Sequence, residues 1–237
     1  MGNSFLLAHP IGDMPRNEYQ SQLAELRADV LDMSKTVAER LEMGLKALET
    51  NDHDLAQQVI EGDTEINKQY LALEKQCTDL IALQQPVAGD LRFIAASFKI
   101  ITDLERIADL ATNLGEYATE GETSICPEID LQELGAVTLE MLDDAMDAYA
   151  DDDRELCYTV DDRDDDLDYL CEVASDTVVR ELIESEQMES DEDIEQFMED
   201  VSRFLLTIRD IERIGDHSVN IAARALYMID NNDELIY

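Results

Sequence analysis

The sequence is poor in basic residues, and this shortage argues against several classes of partner. Lys and Arg number 17 against 57 Asp and Glu, which gives a formal net charge of −40. Such a charge repels phosphate backbones and anionic lipid head groups, so it argues against direct binding of nucleic acid or of a membrane surface. Only five of the basic residues are lysine. This bias suggests a salt-adapted source, in which counter-ions screen the self-repulsion.

Several sequence patterns that mark membrane proteins, secreted proteins and enzymes are also absent. No apolar run approaches the ~18 residues of a transmembrane helix, and residues 1–16 lack the basic start of a signal peptide. We therefore predict a cytoplasmic protein that begins with a loose leader over residues 1–16. The four cysteines show no Cys-x-x-Cys spacing, so we expect free thiols. Without a Gly-rich phosphate loop, a Glu-x-x-His pair or a Ser/His/Asp arrangement, the chain is not predicted to be an enzyme.

The chain has only four prolines, and each lies where a helical pattern stops. Apolar residues otherwise recur at helical spacing, and no alternating strand pattern interrupts them. The fold class is therefore all-α, with two tandem, similar three-helix bundles and six long helices. We place the bundles at residues 17–120 and 129–231, with a linker at 121–128 and a tail at 232–237. In the first half, the predicted helices cover residues 18–49, run from an acidic break with capping candidates at 51–54 to residue 83, and follow Pro86, with Leu91 on the apolar face, until about residues 119–121. In the second half they cover residues 129–150, 154–186 and 191–228, with a break at the acidic residues 151–153.

One segment occurs twice, at residues 103–113 and 210–220, and this repeat indicates that one helical unit is built twice. Glu105 and Asp109 form an i,i+4 pair, as do Glu212 and Asp216, so each pair stacks on one helix face. The identical pairs are Asp103/Asp210, Glu105/Glu212, Arg106/Arg213, Ile107/Ile214, Asp109/Asp216 and Asn113/Asn220.

Acidic pairs at this spacing are weak evidence by themselves, because roughly fourteen would arise by chance in so acidic a chain. These pairs recur at the same positions of the repeat and lie beside an apolar stripe. Both facts favour a functional site, since carboxylates beside apolar residues are costly unless they are paired or bind metal. Asp164 and Asp168 offer a second row in the second half, matched by Asp63 and Asn67 in the first. Hard cations prefer such oxygens. A structural network with Arg106 and Arg213 is the competing interpretation.

The repeated motif, together with residues 83–94 leading into the third helix, resembles the PhoU family, which regulates phosphate-specific transport. The resemblance covers about residues 17–228. It implies paired three-helix bundles, often dimeric, that carry multinuclear iron or zinc clusters. Carboxylate sites discriminate poorly among metals, so manganese and magnesium stay open as alternatives. By resemblance, the metal ligands are Glu105, Asp109, Glu212, Asp216, Asp164 and Asp168. The position of Asp63, equivalent to that of Asp164, adds it to the predicted ligands, and the repeat adds Arg106, Arg213, Asn113 and Asn220 as supporting residues. Asn67 departs from the pattern and puts the metal content of the first half in question.

The resemblance implies a negative regulator of phosphate uptake that contacts the ATP-binding subunit of a Pst-type importer. In bacteria a phosphate-sensing histidine kinase is a second expected partner, and a salt-adapted source would be archaeal, where the kinase is not expected. We expect a homodimer without nucleic acid or a membrane span. Two other functions stay open: a bundle that buffers metal or carries out redox chemistry, and a metal-free acidic adaptor.

Overall fold

A computed structural model describes residues 16–84, 86–120, 129–184 and 191–236. Within these ranges the chain forms six α-helices and no strand, which confirms the predicted fold class. Residues 1–15 of the predicted leader and the whole predicted linker at 121–128 lie outside the described residues. The helices are α1 (Arg16–Thr50), α2 (His53–Gln84), α3 (Ala88–Glu120), α4 (Leu131–Asp151), α5 (Arg154–Glu184) and α6 (Asp191–Asp230).

The turns that separate α1 from α2 and α4 from α5 are built in the same way. Asn51 and Asp152 adopt left-handed φ angles of 50° and 56° directly after the helices end, a conformation that Asn and Asp tolerate better than most residues. The next residue then caps the following helix. Asp52 Oδ1 accepts from the amide of Leu55, and Asp153 Oδ1 accepts from that of Glu155, both at 3.0 Å. These caps explain why α2 and α5 begin where the acidic clusters predict.

Each half buries the apolar stripe that its helical spacing predicts. Helices α1, α2 and α3 pack against one another, and so do α4, α5 and α6. Leu91 is an exception, because it is 42% exposed in the first turn of α3 although the pattern places it on the apolar face. None of the helices within the described ranges is long and apolar enough to cross a bilayer. The largest fully buried side chains include Leu26, Met33, Leu41, Ile66, Ile94, Leu104, Tyr149 and Phe204.

The two bundles join through α3 and α6, and through α1 and α4. Helices α3 and α6 run antiparallel, since Asp103 contacts His217 whereas Asn113 contacts Asp210. The last helix of each repeat is thus central, and the repeated motif lies on both sides of the joint between the bundles.

Arg27 of α1 makes the second connection between the bundles. Its guanidinium lies 5.1 Å from the ring centre of Phe93 and 5.4 Å from that of Tyr149 in α4. It also donates to the carbonyl of Ala150 at 2.8 Å and to Asp152 Oδ1 at 3.0 Å. The guanidinium of Arg27 thus stacks on two aromatic rings and donates hydrogen bonds along its edge. In this way it joins α1 to α4 and to the turn after α4.

Candidate functional site

In the first bundle, the acids of the motif face the middle helix. Burial, and then the charge of Asp109, raises the pKa of Asp63 on α2. The pKa of Glu105 is also raised, first by burial and then by the charge of Asp109, with a smaller contribution from Asp63. Besides burial, each shift thus contains a contribution from the negative charge of a neighbouring carboxylate. The structure thus brings Asp63, Glu105 and Asp109 together across the α2–α3 contact.

These three acids already have partners. Arg106 Nη1 donates to Asp109 Oδ2 at 3.2 Å, and its Nε lies 3.5 Å from Glu105 Oε2. Asn67 Nδ2 donates to Asp63 Oδ2 at 2.7 Å. The arginine lowers the pKa of Glu105, against the rise caused by burial and by Asp109. In the first half, the arginine–carboxylate network is therefore the arrangement that the structure contains.

In the second bundle, four carboxylates from α5 and α6 share one electrostatic environment. Burial, followed by the charges of Asp168 and Asp216, raises the pKa of Asp164 to about 7. The pKa of Glu212 is raised by burial and then by the charges of Asp168 and Asp216. The pKa of Asp168 is raised by burial and then by Asp216. The two predicted acid rows therefore meet, with the row from α5 next to the row from α6.

The arginine of the second motif does not neutralise this cluster. Arg213 Nη1 lies 3.6 Å from Asp210 Oδ1, so it pairs with the first residue of the motif instead of with Glu212 or Asp216. Asp164 Oδ1 is buried and has no hydrogen-bond partner. A buried acceptor without a partner is costly, so the cluster contains one oxygen that still needs a proton or a cation.

Cys171 belongs to the same region, although the cysteine spacing predicted nothing more than a free thiol. Cys171 is free and buried, as are Cys77 and Cys157, whereas Cys126 lies outside the described residues. Burial, and then the charges of Glu212, Asp168 and Asp164, raise the pKa of the Cys171 thiol to about 12. The sequence contained one signal for this position. Cys171 follows Asp164 by seven residues and Asp168 by three, and residues at these spacings lie on one face of a helix.

The first residue of each motif was also missed as a functional position, and it joins the bundles. Asp210 is 2% exposed and accepts from Asn113 Nδ2 at 3.0 Å and from the hydroxyl of Tyr117 at 2.9 Å. Asp103 Oδ1 lies 2.9 Å from His217 Nδ1. Asn113, expected to support metal binding, thus lies at the contact between the bundles. Its counterpart Asn220 is exposed.

The two halves differ in how well they would accept a cation. Across the described ranges, no three His, Cys, Asp or Glu side chains converge closely enough to hold a metal ion in their present positions. Unneutralised carboxylates repel one another, so a cation in the second bundle would require these side chains to rotate inward. The orphan oxygen of Asp164 and the all-acid donor set suit a divalent cation there. In the first bundle, Arg106 contacts Glu105 and Asp109, and Asn67 donates a hydrogen bond to Asp63.

Comparison with known proteins assigns the family. The PhoU domain profile matches residues 30–118 and 131–225, one copy in each bundle. The phosphate-specific transport system accessory proteins PhoU of Edwardsiella tarda and Escherichia coli (strain K12) are each 32% identical, over 221 and 223 residues. These alignments cover 91% of this chain, and 86% and 87% of the respective relatives.

Solved structures share the fold of this chain. The crystal structure of PhoU from Pseudomonas aeruginosa matches with a TM-score of 0.82 and 29% identity, over 90% of this chain and all of that one. A phosphate transport system regulatory protein PhoU from Streptococcus pneumoniae shares the fold, with a TM-score of 0.81 and 24% identity over 90% and 98% of the two chains. These relatives are bacterial, so they lend no support to the predicted archaeal source. Because both halves match along nearly their whole length, the chain belongs to the PhoU family.

Proposed function

We propose that this protein is a non-enzymatic negative regulator of phosphate uptake that acts by contact with a phosphate ABC importer. The observation that carries the proposal is the match of both bundles to the PhoU domain, together with relatives named as accessory proteins of a phosphate-specific transport system. The partner is the ATP-binding subunit of the importer, so the protein works in the cytoplasm. In a bacterial source, a phosphate-sensing histidine kinase is a second partner.

The bundles act as a protein-binding scaffold and work as a homodimer. Their acidic surface favours protein partners over nucleic acid or anionic lipid, because a net charge of −40 repels phosphate groups. Carboxylate-bound iron or zinc, or else manganese or magnesium, rigidifies the scaffold at the acid rows. A bound cation would neutralise the carboxylates and hold neighbouring helices together. Asp164, Asp168, Glu212 and Asp216 would hold it in the second bundle.

The decisive experiment is a deletion strain complemented with the full chain. In phosphate-rich medium the deletion should raise uptake of labelled phosphate, and the wild-type gene should restore the lower rate. Co-purification of the ATP-binding subunit with the tagged protein should change with phosphate supply. Uptake that stays under phosphate control in the deletion strain would contradict the proposal.

The two alternative functions make different predictions. A metal-buffering or redox bundle would bind many metal ions per chain or oxidise ferrous iron, with phosphate control unaffected by the deletion. A metal-free adaptor would contain no metal when it is purified without chelator, and Glu105→Ala and Glu212→Ala would both be harmless. Element analysis of native protein together with the uptake assay separates the three.

A further inference from the structure

A cavity of about 730 Å³ lies where the two bundles meet. Its walls come from α1 and the first turn of α3 in the first bundle, and from the turn after α4 and the end of α6 in the second. Its described lining residues include none of the acids of the two rows. Small-molecule sites are commonly clefts of roughly 300–1,000 Å³ at contacts between domains. The cavity therefore has the size and the position of a ligand site.

Most of the cavity wall is apolar. Leu23, Phe93 and Met228 line it, and each is 8–9% exposed. Ala24 and Ala28 of α1 also line it, and both are exposed, so their small side chains leave room for a ligand. A wall of this kind favours an apolar body, such as an aromatic ring or a short alkyl chain, because binding removes apolar surface from water.

Arg27 is the basic residue among the described residues that line the cavity. Its guanidinium is held in place by the rings of Phe93 and Tyr149 and by the carbonyl of Ala150. Its charged partner is Asp152, at 3.0 Å, whose side chain is 55% exposed. An ion pair that water screens to this extent contributes little free energy. An oxyanion in the cavity can therefore accept hydrogen bonds from Arg27 beside Asp152 or in its place.

The acidic surroundings restrict the ligand to a low charge. Asp90 and Asp152 line the cavity, and the whole chain has a formal net charge of −40. A second negative charge on the ligand would meet no other cation among the described lining residues, and it would be repelled by the protein. An inorganic anion has no apolar body, so it would gain nothing from the apolar wall.

We propose that this cavity binds a small amphipathic monoanion, with its apolar body against Leu23 and Phe93 and its acidic group on Arg27. Because the walls belong to both bundles, a bound ligand would bridge them and stabilise their present arrangement. This inference goes beyond the proposed function, since it gives the protein a small-molecule effector in addition to a protein partner. It is tested on purified protein, so its failure is distinct from a failure of phosphate control in cells.

Two fluorescent probes test the roles of the apolar wall and of the charge. Anilinonaphthalene sulfonate is a monoanion, and phenylnaphthylamine has the same rings without the sulfonate. Arg27→Gln should weaken binding of the sulfonate about tenfold or more and that of the neutral probe less than about twofold, because only the sulfonate accepts a charge-assisted hydrogen bond. Arg40→Gln is the matched control, since Arg40 of α1 also contacts a carbonyl and a carboxylate, those of Gln58 and Glu65. Equal weakening by the two substitutions, or no effect of Arg27→Gln, would refute the role of Arg27.

A second variant tests the cavity with Arg27 kept in place. Ala24→Trp should fill the cavity and abolish binding of both probes, whereas Ala72→Trp at an exposed position of α2 should leave binding intact. Circular dichroism checks that all variants stay helical. Wild-type protein that binds neither probe, or unchanged binding in Ala24→Trp, would exclude the cavity as the site.

Competition and stability define the class of ligand. Octanoate should displace the sulfonate probe, and inorganic phosphate at the same concentration and ionic strength should not. Saturating probe should raise the midpoint of urea unfolding, because it binds the folded state. Displacement by phosphate alone would contradict an amphipathic ligand, and a lowered midpoint would show that the probe binds unfolded chains instead.

Discussion

The hydroxyl of Tyr117 in α3 donates to Asp210 Oδ2 in α6 at 2.9 Å and so joins the two bundles. Burial and then this hydrogen bond raise the pKa of Tyr117 to about 12, so the hydroxyl keeps its proton at neutral pH. Asp210 also accepts from Asn113. The first acid of the repeated motif is therefore committed to holding the bundles together, while the later acids face the middle helices.

Tyr117→Phe should lower the free energy of unfolding by about 1.5–3 kcal/mol, because it removes a hydrogen bond to a buried charged acceptor. Urea denaturation followed by circular dichroism measures the change. Tyr169→Phe is the matched control, since that side chain is 65% exposed and its loss of hydroxyl should have no measurable effect. Equal stabilities for the two variants would contradict the role given to Asp210.

Gly215→Ala should destabilise the protein by about 1–3 kcal/mol, because the added methyl group overpacks the buried Leu167 at the close approach of α5 to α6. Gly89→Ala in α3 is the control, since a Cβ atom there meets nothing within 4 Å. It should leave stability unchanged or raise it by up to about 1 kcal/mol. Thermal melts of both variants beside the wild type provide the comparison. A neutral Gly215→Ala would mean that Leu167 moves aside freely.

The stability of the metal-free protein should fall as the pH rises from about 4 to about 7. Burial and the charges of Asp168 and Asp216 raise the pKa of Asp164 from its ordinary value of 3.8 to about 7. The folded state then binds more protons than the unfolded state throughout this window, so raising the pH favours unfolding. Asp164→Asn should flatten this fall and give a more stable protein than the wild type at about pH 8.

Denaturation of chelator-treated protein at several pH values measures this dependence. Asp166→Asn controls for the lost negative charge, because Asp166 lies on the exposed face of α5. The prediction fails if the stability of Asp164→Asn falls with pH as steeply as that of the wild type, or if Asp166→Asn reduces the fall equally. Either result would assign the pH dependence to the general acidity of the chain.

Added salt should stabilise the folded protein, and at low salt the protein should partly unfold. With a net charge of −40, the folded state repels itself, and ions at about 0.1 M screen charges more than roughly 10 Å apart. The unfolding midpoint should rise with NaCl concentration and should exceed that in sucrose of equal osmolality. A midpoint independent of NaCl would remove the physical reason for the inferred salt adaptation.

Much of the fold could be predicted because its signals are local. The apolar spacing of Leu26, Val30 and Met33 predicts a buried helix face, and all three are at most 1% exposed. Asp52 caps α2 where the acidic cluster indicates a break. The repeat predicted that the acid rows would lie on equivalent helices of two similar bundles. The burial of Leu91 was predicted wrongly: this residue of the first turn of α3 is 42% exposed, and apolar periodicity along one helix does not show which of its turns the other helices cover.

The candidate sites were less predictable, because equal motifs received unequal partners. Residues 103–113 and 210–220 match at six positions, yet Arg106 contacts the acids of its motif while Arg213 turns to Asp210. An arginine side chain is long enough to reach several carboxylates, and neighbouring helices decide which of them is nearest. Cys171 offered only its spacing from Asp164 and Asp168, and the contact between α5 and α6 decided that Glu212 also raises the pKa of its thiol.

Spacing along the chain by itself thus determined the six helices of the described residues, the two related bundles and the acids stacked in rows, since backbone periodicity fixes which residues share a face. Tertiary structure decided which acids are neutralised, which one is left with a buried bare oxygen, and which join the bundles. Those outcomes depend on distances of a few ångströms between side chains of neighbouring helices. At such distances burial raises the pKa of a carboxyl group, whereas a nearby positive charge lowers it.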